Sequence, residues 1–376
     1  MPWETRTPMR QRLAFVRRVK EGAGNVSALC RQYGISRKTG YKWLERYEAE
    51  GEAGLADRSR RPHHWPSRTE AAMEAAVLAV RASYPSWGGR KIRAYLQGRL
   101  AEVPAASTVT AILRRHERLP TVTKQAAPAW QRFERQAPNE LWQMDFKGHF
   151  ALTNQQRCHP LTVLDDCSRF LVGLYACGDE TGATVRRHLT QLFQEYGLPT
   201  GMLMDNGPPW AIGNSRGYTE LSVWLLRLDI ELLHSRPYHP QTLGKDERLH
   251  RTLKTELLSR VACPDLSTMQ QHFDVWRSVY NRVRPHEALD LRPPNAVYQP
   301  SPRPFPDPLP PIEYPPGVLT RKVSASGELS FHGHTWSVGR AFKGHYLALY
   351  PTVQPGAVDV YFGRHFLYCF TVADAC

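Results

Sequence analysis

The order of apolar patterns along residues 137–292 is the feature that most restricts the fold of this chain. Short β-rich runs come first, at 141–146, 161–165 and 170–175. Helical patterns and two further short runs then alternate, in the order 181–196, 201–205, 219–228, 230–233 and 243–260. Three strands followed by alternating helix and strand predict an α/β layer fold for this region.

The first 50 residues have a helical pattern, with predicted helices at 8–20, 25–33 and 37–48. Asn25 and Ser36 are suitable N-caps, and Gly34 can adopt the left-handed conformation that ends a helix. Helix, glycine turn and helix at this spacing predict a helix-turn-helix, whose second helix enters the major groove. The groove-facing side chains would be Arg37, Lys38, Thr39 and Lys42. An ordinary helical hairpin with a basic rim is the alternative.

Residues 51–68 are polar, basic and interrupted by prolines, which predicts a linker that follows DNA phosphates through Arg58, Arg60 and Arg61. A second helical group is predicted over residues 69–118, with helices at 69–82, 89–100 and 107–116. Ser107 would cap the last of these helices. The group resembles a second helix-turn-helix module, and residues 119–136 would link it to the α/β region.

Two further segments follow the α/β region. Residues 293–316 contain 11 prolines in 24 positions, which predicts an extended linker or arm and not a packed element. Residues 317–376 again alternate apolar and polar residues between glycine turns. This pattern predicts a small C-terminal β-barrel.

The positive charge of the chain is confined to its first third. Residues 1–136 have 26 Lys and Arg against 12 Asp and Glu, an excess equal to the whole net charge of +14. A polyanion such as double-stranded DNA is the natural partner of that third, with a merely solvated surface as the alternative. No apolar run is long enough for a membrane span, and the seven cysteines are scattered, so we expect a cytoplasmic, nucleoid-associated protein with free thiols.

Three acids in the α/β region are candidate catalytic residues. Asp145 lies within an apolar strand, Asp205 ends a strand before Asn206, and Glu247 lies in the first turns of the long helix. Burial of a carboxylate is costly unless a cation compensates for it. Mg²⁺ takes oxygen ligands, and a pair of metal ions can stabilise an in-line displacement at phosphorus. Asp145 would bridge both ions, and the other two acids would each hold one.

Four motifs resemble the integrase-core, or DDE, transposases of bacterial insertion sequences, a branch of the retroviral integrase superfamily. They lie at 141–145, 162–169, 204–208 and 239–248, and the runs at 250–254, 280–281 and 284–286 fit the same family. The resemblance implies a ribonuclease H-like fold and Mg²⁺ or Mn²⁺, two ions in all. It also implies hydrolysis that exposes a 3′-hydroxyl at the element end, followed by attack of that hydroxyl on target DNA.

The resemblance assigns Asp145, Asp205 and Glu247 as the first, second and third acids of the family. Asp205 and Glu247 are 42 positions apart, which is longer than the family's usual interval. We expect the surplus in the turn-rich loop at 210–217, since loops lengthen at small entropic cost. Asp246 stands beside Glu247, and the family pattern favours Glu247.

Basic side chains follow the third acid on the same predicted helix. Lys245, Arg248, Arg251 and Lys254 would contact DNA phosphates, with a solvated face as the alternative. Pairing of two DNA ends implies at least a homodimer. Besides an active transposase, the sequence permits a DNA-binding regulator on an inactive core, or a nuclease that cuts without joining.

Overall fold

The computed structural model describes residues 7–58, 69–119, 134–210, 217–234 and 244–371. Its internal contacts divide the chain into two compact units, residues 1–68 and residues 69–376. Among the described residues, no helix is long and apolar enough to cross a membrane.

The first unit contains the predicted helices, which are α1 (Pro8–Lys20), α2 (Val26–Gln32) and α3 (Arg37–Glu50). The predicted caps are confirmed, because the Asn25 side chain accepts a hydrogen bond from the Ser27 amide at 2.8 Å. The Ser36 hydroxyl accepts one from the Thr39 amide at 3.1 Å. Gly34 has φ +64°, the left-handed conformation expected at the end of α2.

The core of the first unit requires a glycine on α3. A Cβ atom on Gly40 would lie 2.5 Å from the Cys30 sulfur, so only glycine allows α2 and α3 to approach this closely. Leu55 is fully buried in the same core and belongs to a 3₁₀ turn, Gly51–Leu55. The helical packing therefore continues past residue 50, where the basic linker was predicted to begin.

The second unit begins with another helical group, formed by α4 (Ala71–Ser83), α5 (Gly89–Gln97) and α6 (Ala106–Arg115). The prediction that Ser107 caps the last helix is wrong, because the cap position is Ala105 and no side chain bonds there. The buried residues of this group pack around Trp87, Ile92 and Ile112.

A mixed sheet forms the centre of the second unit. Its strands are β1 (Leu141–Phe146), β2 (Phe150–Ala151), β3 (Arg157–Asp165), β4 (Leu171–Cys177), β5 (Gly201–Met204) and β6 (Glu231–His234). β3 pairs antiparallel with β1, β2 and β4, and β5 pairs parallel with β1 and β6. The predicted α/β layer fold is confirmed, because helices cover both faces of this sheet.

Helices α7 (Gly182–Tyr196) and α8 (Glu220–Arg227) pack on one face of the sheet, and α9 (Gly244–Leu253) and α10 (Leu266–Arg282) pack on the other. The predicted long helix at 243–260 is α9 continued by a π-helical turn, Lys254–Leu258. Glu256 in this turn accepts hydrogen bonds from the Ser86 hydroxyl at 2.7 Å and from Arg284 Nε at 3.1 Å. These bonds connect the helical group at 69–119 to the end of the helix that carries Glu247.

The proline-dense segment at 293–316 packs against the α/β core, so the prediction that it is not a packed element is wrong. The Tyr298 ring stacks on Phe170 with ring centroids 4.1 Å apart. Arg303 donates hydrogen bonds to the carbonyl oxygens of Pro199, Leu228 and Asp229. Prolines keep the backbone extended, but the aromatic and arginine side chains between them still pack against the core and form hydrogen bonds with it.

The C-terminal region contains β7 (Leu319–Lys322), β8 (Glu328–Phe331), β9 (His334–Ser337), β10 (Tyr346–Pro351), β11 (Ala357–Phe362) and β12 (His365–Thr371). Four strands form an open sheet in the order β12-β11-β10-β7, and β8 pairs only with β9. The predicted β-barrel is therefore corrected to two open sheets in residues 319–371. The apolar side chains of the four-stranded sheet are buried although the sheet does not close into a barrel. Val223 and Leu226 of α8 and Trp336 of β9 pack in the same core.

Candidate active site

Asp145 projects from β1 on the face covered by α9 and α10. Its neighbours Met144 and Phe146 point to the opposite face and pack in the core beneath α7 and α8. Asp145 stands opposite Thr162 of β3. The parallel pairing of Gln143 with Leu203, continued by two residues, places Asp205 beside Asp145. The two acids thus lie near the carboxyl ends of adjacent parallel strands.

Asp205 is held by the turn that follows β5. Its Oδ1 accepts a hydrogen bond from the Gly207 amide at 3.1 Å. Its carbonyl oxygen accepts one from His234 Nδ1 of the neighbouring β6, at 3.0 Å. These bonds fix the backbone and one carboxylate oxygen of the acid.

The Asp145 carboxyl has a perturbed proton affinity. Burial, and then the nearby Asp205 carboxylate, raise its pKa from 3.8 to about 7. Such a pair of close acids binds a proton or a metal cation far more readily than an isolated acid does. The donor chemistry of this pair therefore fits a hard divalent cation. Within the described ranges, no group of three potential metal-ligating side chains is assembled.

His250 of α9 contacts the Asp145 strand through Thr162. The Thr162 hydroxyl donates to the Asp145 carbonyl oxygen at 3.0 Å, so its oxygen must accept from His250 Nε2, which lies 2.9 Å away. Nδ1 of His250 then carries the lone pair and lies 3.9 Å from Asp145 Oδ2. Burial, and then Lys147, lower the pKa of His250 to about 4, so the ring is neutral at physiological pH.

The two neighbouring acids of α9 point in different directions. Asp246 is fully buried in the row that contains Leu249 and Leu253, and neither of its carboxylate oxygens has a hydrogen-bond partner in the described residues. Burial, and then Asp145, raise the pKa of Asp246 well above its usual value. Glu247 is exposed. The structure thus brings Asp246 close to Asp145, which lies beside Asp205, and leaves Glu247, the predicted third acid, at the surface.

The basic residues of α9 and the following turn divide into two groups. Arg248, Arg251 and Lys254 are exposed and form no ion pair within the described residues. Lys254 lies close enough to Lys147 to lower the pKa of Lys147, although burial contributes more. Lys245, which we expected to contact DNA, instead pairs its ammonium with the buried Asp166 carboxylate.

The predicted groove-facing residues of α3 lie at its exposed start. Arg37, Lys38 and Lys42 are exposed, and Thr39 is partly buried beside its cap Ser36. Of the three linker arginines predicted to follow DNA phosphates, Arg58 lies in the described residues and forms an ion pair with Glu50. Arg60 and Arg61 lie outside the described residues.

Sequence reasoning missed three side chains around Asp145, namely Lys147, Thr162 and His250. Thr162 and His250 both lie in runs that resemble the family, at 162–169 and 250–254, but no role was predicted for them. Their contact with the Asp145 strand depends on the pairing of β3 with β1, which the local sequence does not give.

Five family models match parts of this chain. Two integrase core domain models match residues 135–240 and 228–294. A model of the C-terminal domain of IS481 family transposases matches residues 318–367. A helix-turn-helix domain model matches residues 11–63, and a homeodomain-like domain model matches residues 39–113.

Individual relatives match part of this chain. The chain is 31% identical over 157 residues to the "Insertion element IS476 uncharacterized 39.2 kDa protein" of Xanthomonas euvesicatoria, covering 42% of this chain and 43% of that protein. It is 33% identical over 134 residues to the Gag-Pro-Pol polyprotein of squirrel monkey retrovirus, covering 36% of this chain and 7% of that protein. The alignments thus span less than half of either relative.

Among solved structures, a simian T-cell lymphotropic virus intasome in complex with PP2A regulatory subunit B56 gamma aligns with a TM-score of 0.40 and 18% identity. That alignment covers 77% of this chain and 97% of the other. The integrase core models, the IS481 transposase C-terminal domain model and the insertion-element relative thus make the chain similar to insertion-sequence DDE transposases of the retroviral integrase superfamily.

Proposed function

We propose that this chain is a polynucleotidyl transferase that cuts DNA at the ends of an insertion sequence and joins the exposed 3′-hydroxyl to target DNA. The observation that supports this proposal best is the Asp145 and Asp205 pair at the ends of adjacent parallel strands, where the pKa of Asp145 is about 7. Two acids this close repel each other in the absence of a cation.

The proposed cofactor is Mg²⁺ or Mn²⁺, with two ions held by Asp145, Asp205 and Glu247. When bound, such a pair stabilises the attacking and leaving oxygens of an in-line displacement at phosphorus. Glu247 is proposed as the third acid because it precedes His250 by one helical turn, and His250 already contacts the Asp145 strand. Asp246 lies in the apolar row of α9, where the neutral form of its carboxyl is favoured.

The proposed DNA contacts come from two surfaces. Arg248, Arg251 and Lys254 are exposed and form no ion pair with the part of the chain that the structure describes, so they could bind backbone phosphates of DNA. The start of α3 would enter a major groove with the four side chains predicted for it. Work on two DNA ends at once requires two active sites, so we propose a homodimer or a higher oligomer on DNA.

The test uses purified full-length protein, labelled duplexes carrying candidate element ends, and Mg²⁺ or Mn²⁺. We expect the wild type to cut and join these duplexes, and Asp145→Asn and Asp205→Asn to do neither while still binding them. Asp274→Asn is the matched control, because Asp274 is an exposed acid on α10 whose side chain accepts a hydrogen bond from Gln270 of the same helix.

The outcomes separate the proposed transposase from its two alternatives. Binding of element ends without cutting in either metal would indicate a DNA-binding regulator on an inactive core. Cutting without joining would indicate a nuclease. If both Asp145→Asn and Asp205→Asn cut at the wild-type rate, the assignment of the active site would be wrong.

A further inference from the structure

A single buried carboxylate, that of Asp166, contacts the elements that carry the first and third proposed acids. Asp166 lies in the turn between β3 and β4 and is fully buried. Its Oδ1 accepts from Gln143 Nε2 at 2.6 Å, and its Oδ2 accepts from the Arg135 amide at 2.8 Å. The Lys245 ammonium also pairs with Oδ1 and donates to the Asp166 carbonyl oxygen at 3.1 Å.

The two side-chain partners of Asp166 are each two residues from a proposed metal ligand. Gln143 precedes Asp145 on β1, and residues two apart in a strand project from the same face. Lys245 precedes Glu247 in the first turn of α9. The Asp166 amide also donates to the Leu141 carbonyl oxygen at 2.9 Å, which fixes the turn to the start of β1.

Net stabilisation is a weak explanation for this ion pair. The desolvation of two buried charges often costs more than their attraction returns, so such a pair is poor evidence for stability. Its geometry is specific instead, because one carboxylate holds both a strand side chain and a helix side chain. Within the described residues, the side chain of the preceding acid, Asp165, accepts hydrogen bonds from Ser168 and from the Asn139 amide, and none from α9 or Gln143.

We propose that Asp166 and Lys245 are positioning residues that hold the first turn of α9 against β1, so that Glu247 is presented to the metal site formed with Asp145. This inference rests on the proposed function for its catalytic consequence, but the anchoring of α9 is a property of the protein alone. It also reassigns Lys245 from a DNA contact to an internal anchor.

The experiment compares four full-length variants with the wild type, namely Asp166→Asn, Lys245→Met, the double variant, and Asp165→Asn as the matched control from the same turn. Hydrogen exchange of the α9 amides is measured without DNA or metal. Melting temperatures are recorded on the same samples. Rates of DNA cutting are then measured as functions of DNA and Mn²⁺ concentration.

We expect both single variants to raise hydrogen exchange in α9 by about tenfold or more, because a released helix end opens locally. The control variant should raise exchange around residues 165–170 and leave α9 unchanged. We expect kcat to fall about 100-fold with KM for DNA unchanged, the loss that an error of about 1 Å in position produces. The double variant, which removes both charges, should recover the melting temperature but neither the slow exchange nor kcat.

Two results would overturn the proposal. One is wild-type exchange of the α9 amides in Asp166→Asn, which would show that the pair does not hold the helix. The other is recovery of kcat in the double variant, which would show that Asp166 and Lys245 only neutralise each other's charge and do not position α9. Failure of the proposed function looks different, because a wild type that cuts no DNA would still show the exchange difference between Asp166→Asn and Asp165→Asn.

Discussion

Replacing Asp145 with Asn should stabilise the metal-free protein at alkaline pH. In the folded chain the Asp145 carboxyl keeps its proton up to about pH 7, whereas the unfolded chain loses it near pH 3.8. The raised pKa therefore contributes stability that is present in full below pH 3.8 and is lost as the pH rises through 7. The asparagine variant has no such proton to lose.

The size of the effect follows from the two pKa values. A rise from 3.8 to about 7 corresponds to about 4 kcal/mol, at 1.36 kcal/mol for each tenfold change in proton affinity. Only 27% of the Asp145 side-chain surface is exposed, so most of the carboxyl is shielded from solvent. Relative to the wild type, we expect Asp145→Asn to gain up to about 4 kcal/mol of unfolding free energy at pH 8 and almost nothing near pH 4.

The assay is urea denaturation in EDTA at several pH values between 4 and 8. Asp205→Asn is the informative comparison, because it removes only the second cause of the raised pKa and should reduce the pH dependence without abolishing it. In a parallel series without EDTA, free Mn²⁺ at 100 times its dissociation constant should stabilise the wild type by about 2.7 kcal/mol and Asp145→Asn by much less. Equal pH dependence in the wild type and in Asp145→Asn would refute the reasoning.

Three further predictions concern other parts of the chain. Gly40→Ala should destabilise the first unit by about 1–3 kcal/mol, since its Cβ would meet the Cys30 sulfur, and an unchanged unfolding midpoint would contradict this. Glu247→Gln should abolish DNA cutting while Asp246→Asn retains it, and the reverse result would make Asp246 the third acid. Arg251→Gln should reduce the slope of log binding constant against log salt by about 1, measured by fluorescence anisotropy, whereas an unchanged slope would remove this face from the DNA contacts.

The positions of Asp145 and Asp205 on strands could be predicted because each lies in or directly after a short apolar run. Asp145 lies between apolar neighbours that need the opposite face of a strand, and Asp205 follows a short apolar run directly. Their proximity then follows from the parallel pairing of neighbouring strands in an α/β sheet. The pairing of β3 with β1, which places Thr162 and His250 at Asp145, depends on long-range contacts that a local pattern does not contain.

The choice between Asp246 and Glu247 could not be made from local sequence. Adjacent residues on a helix point about 100° apart, so a small rotation of α9 decides which acid is buried. That rotation depends on tertiary contacts such as Lys245 with Asp166, whose partners are 79 positions apart. The basic character of Lys245 suggested a DNA contact, since a lysine in an internal ion pair has the same sequence signature.

The two errors about the C-terminal half share a physical cause. The alternation of apolar and polar residues along a strand predicts that one face of the strand is buried, but it does not identify what covers that face. A closed barrel is one solution, and α8 with the β8–β9 hairpin is another. Proline content likewise predicts an extended backbone in residues 293–316, but whether Tyr298 and Arg303 find partners depends on the neighbouring surface.

The shared core of α8 and the C-terminal sheets limits how the chain can be dissected. Val223 and Leu226 are buried in one core with the C-terminal strands, and Arg227 donates a hydrogen bond to the Pro310 carbonyl oxygen in the proline segment. A fragment ending near residue 316 would expose an apolar patch on α8 and tend to aggregate. Recombinant study of the catalytic region, and exchange of C-terminal regions between relatives, would therefore have to retain or redesign that surface.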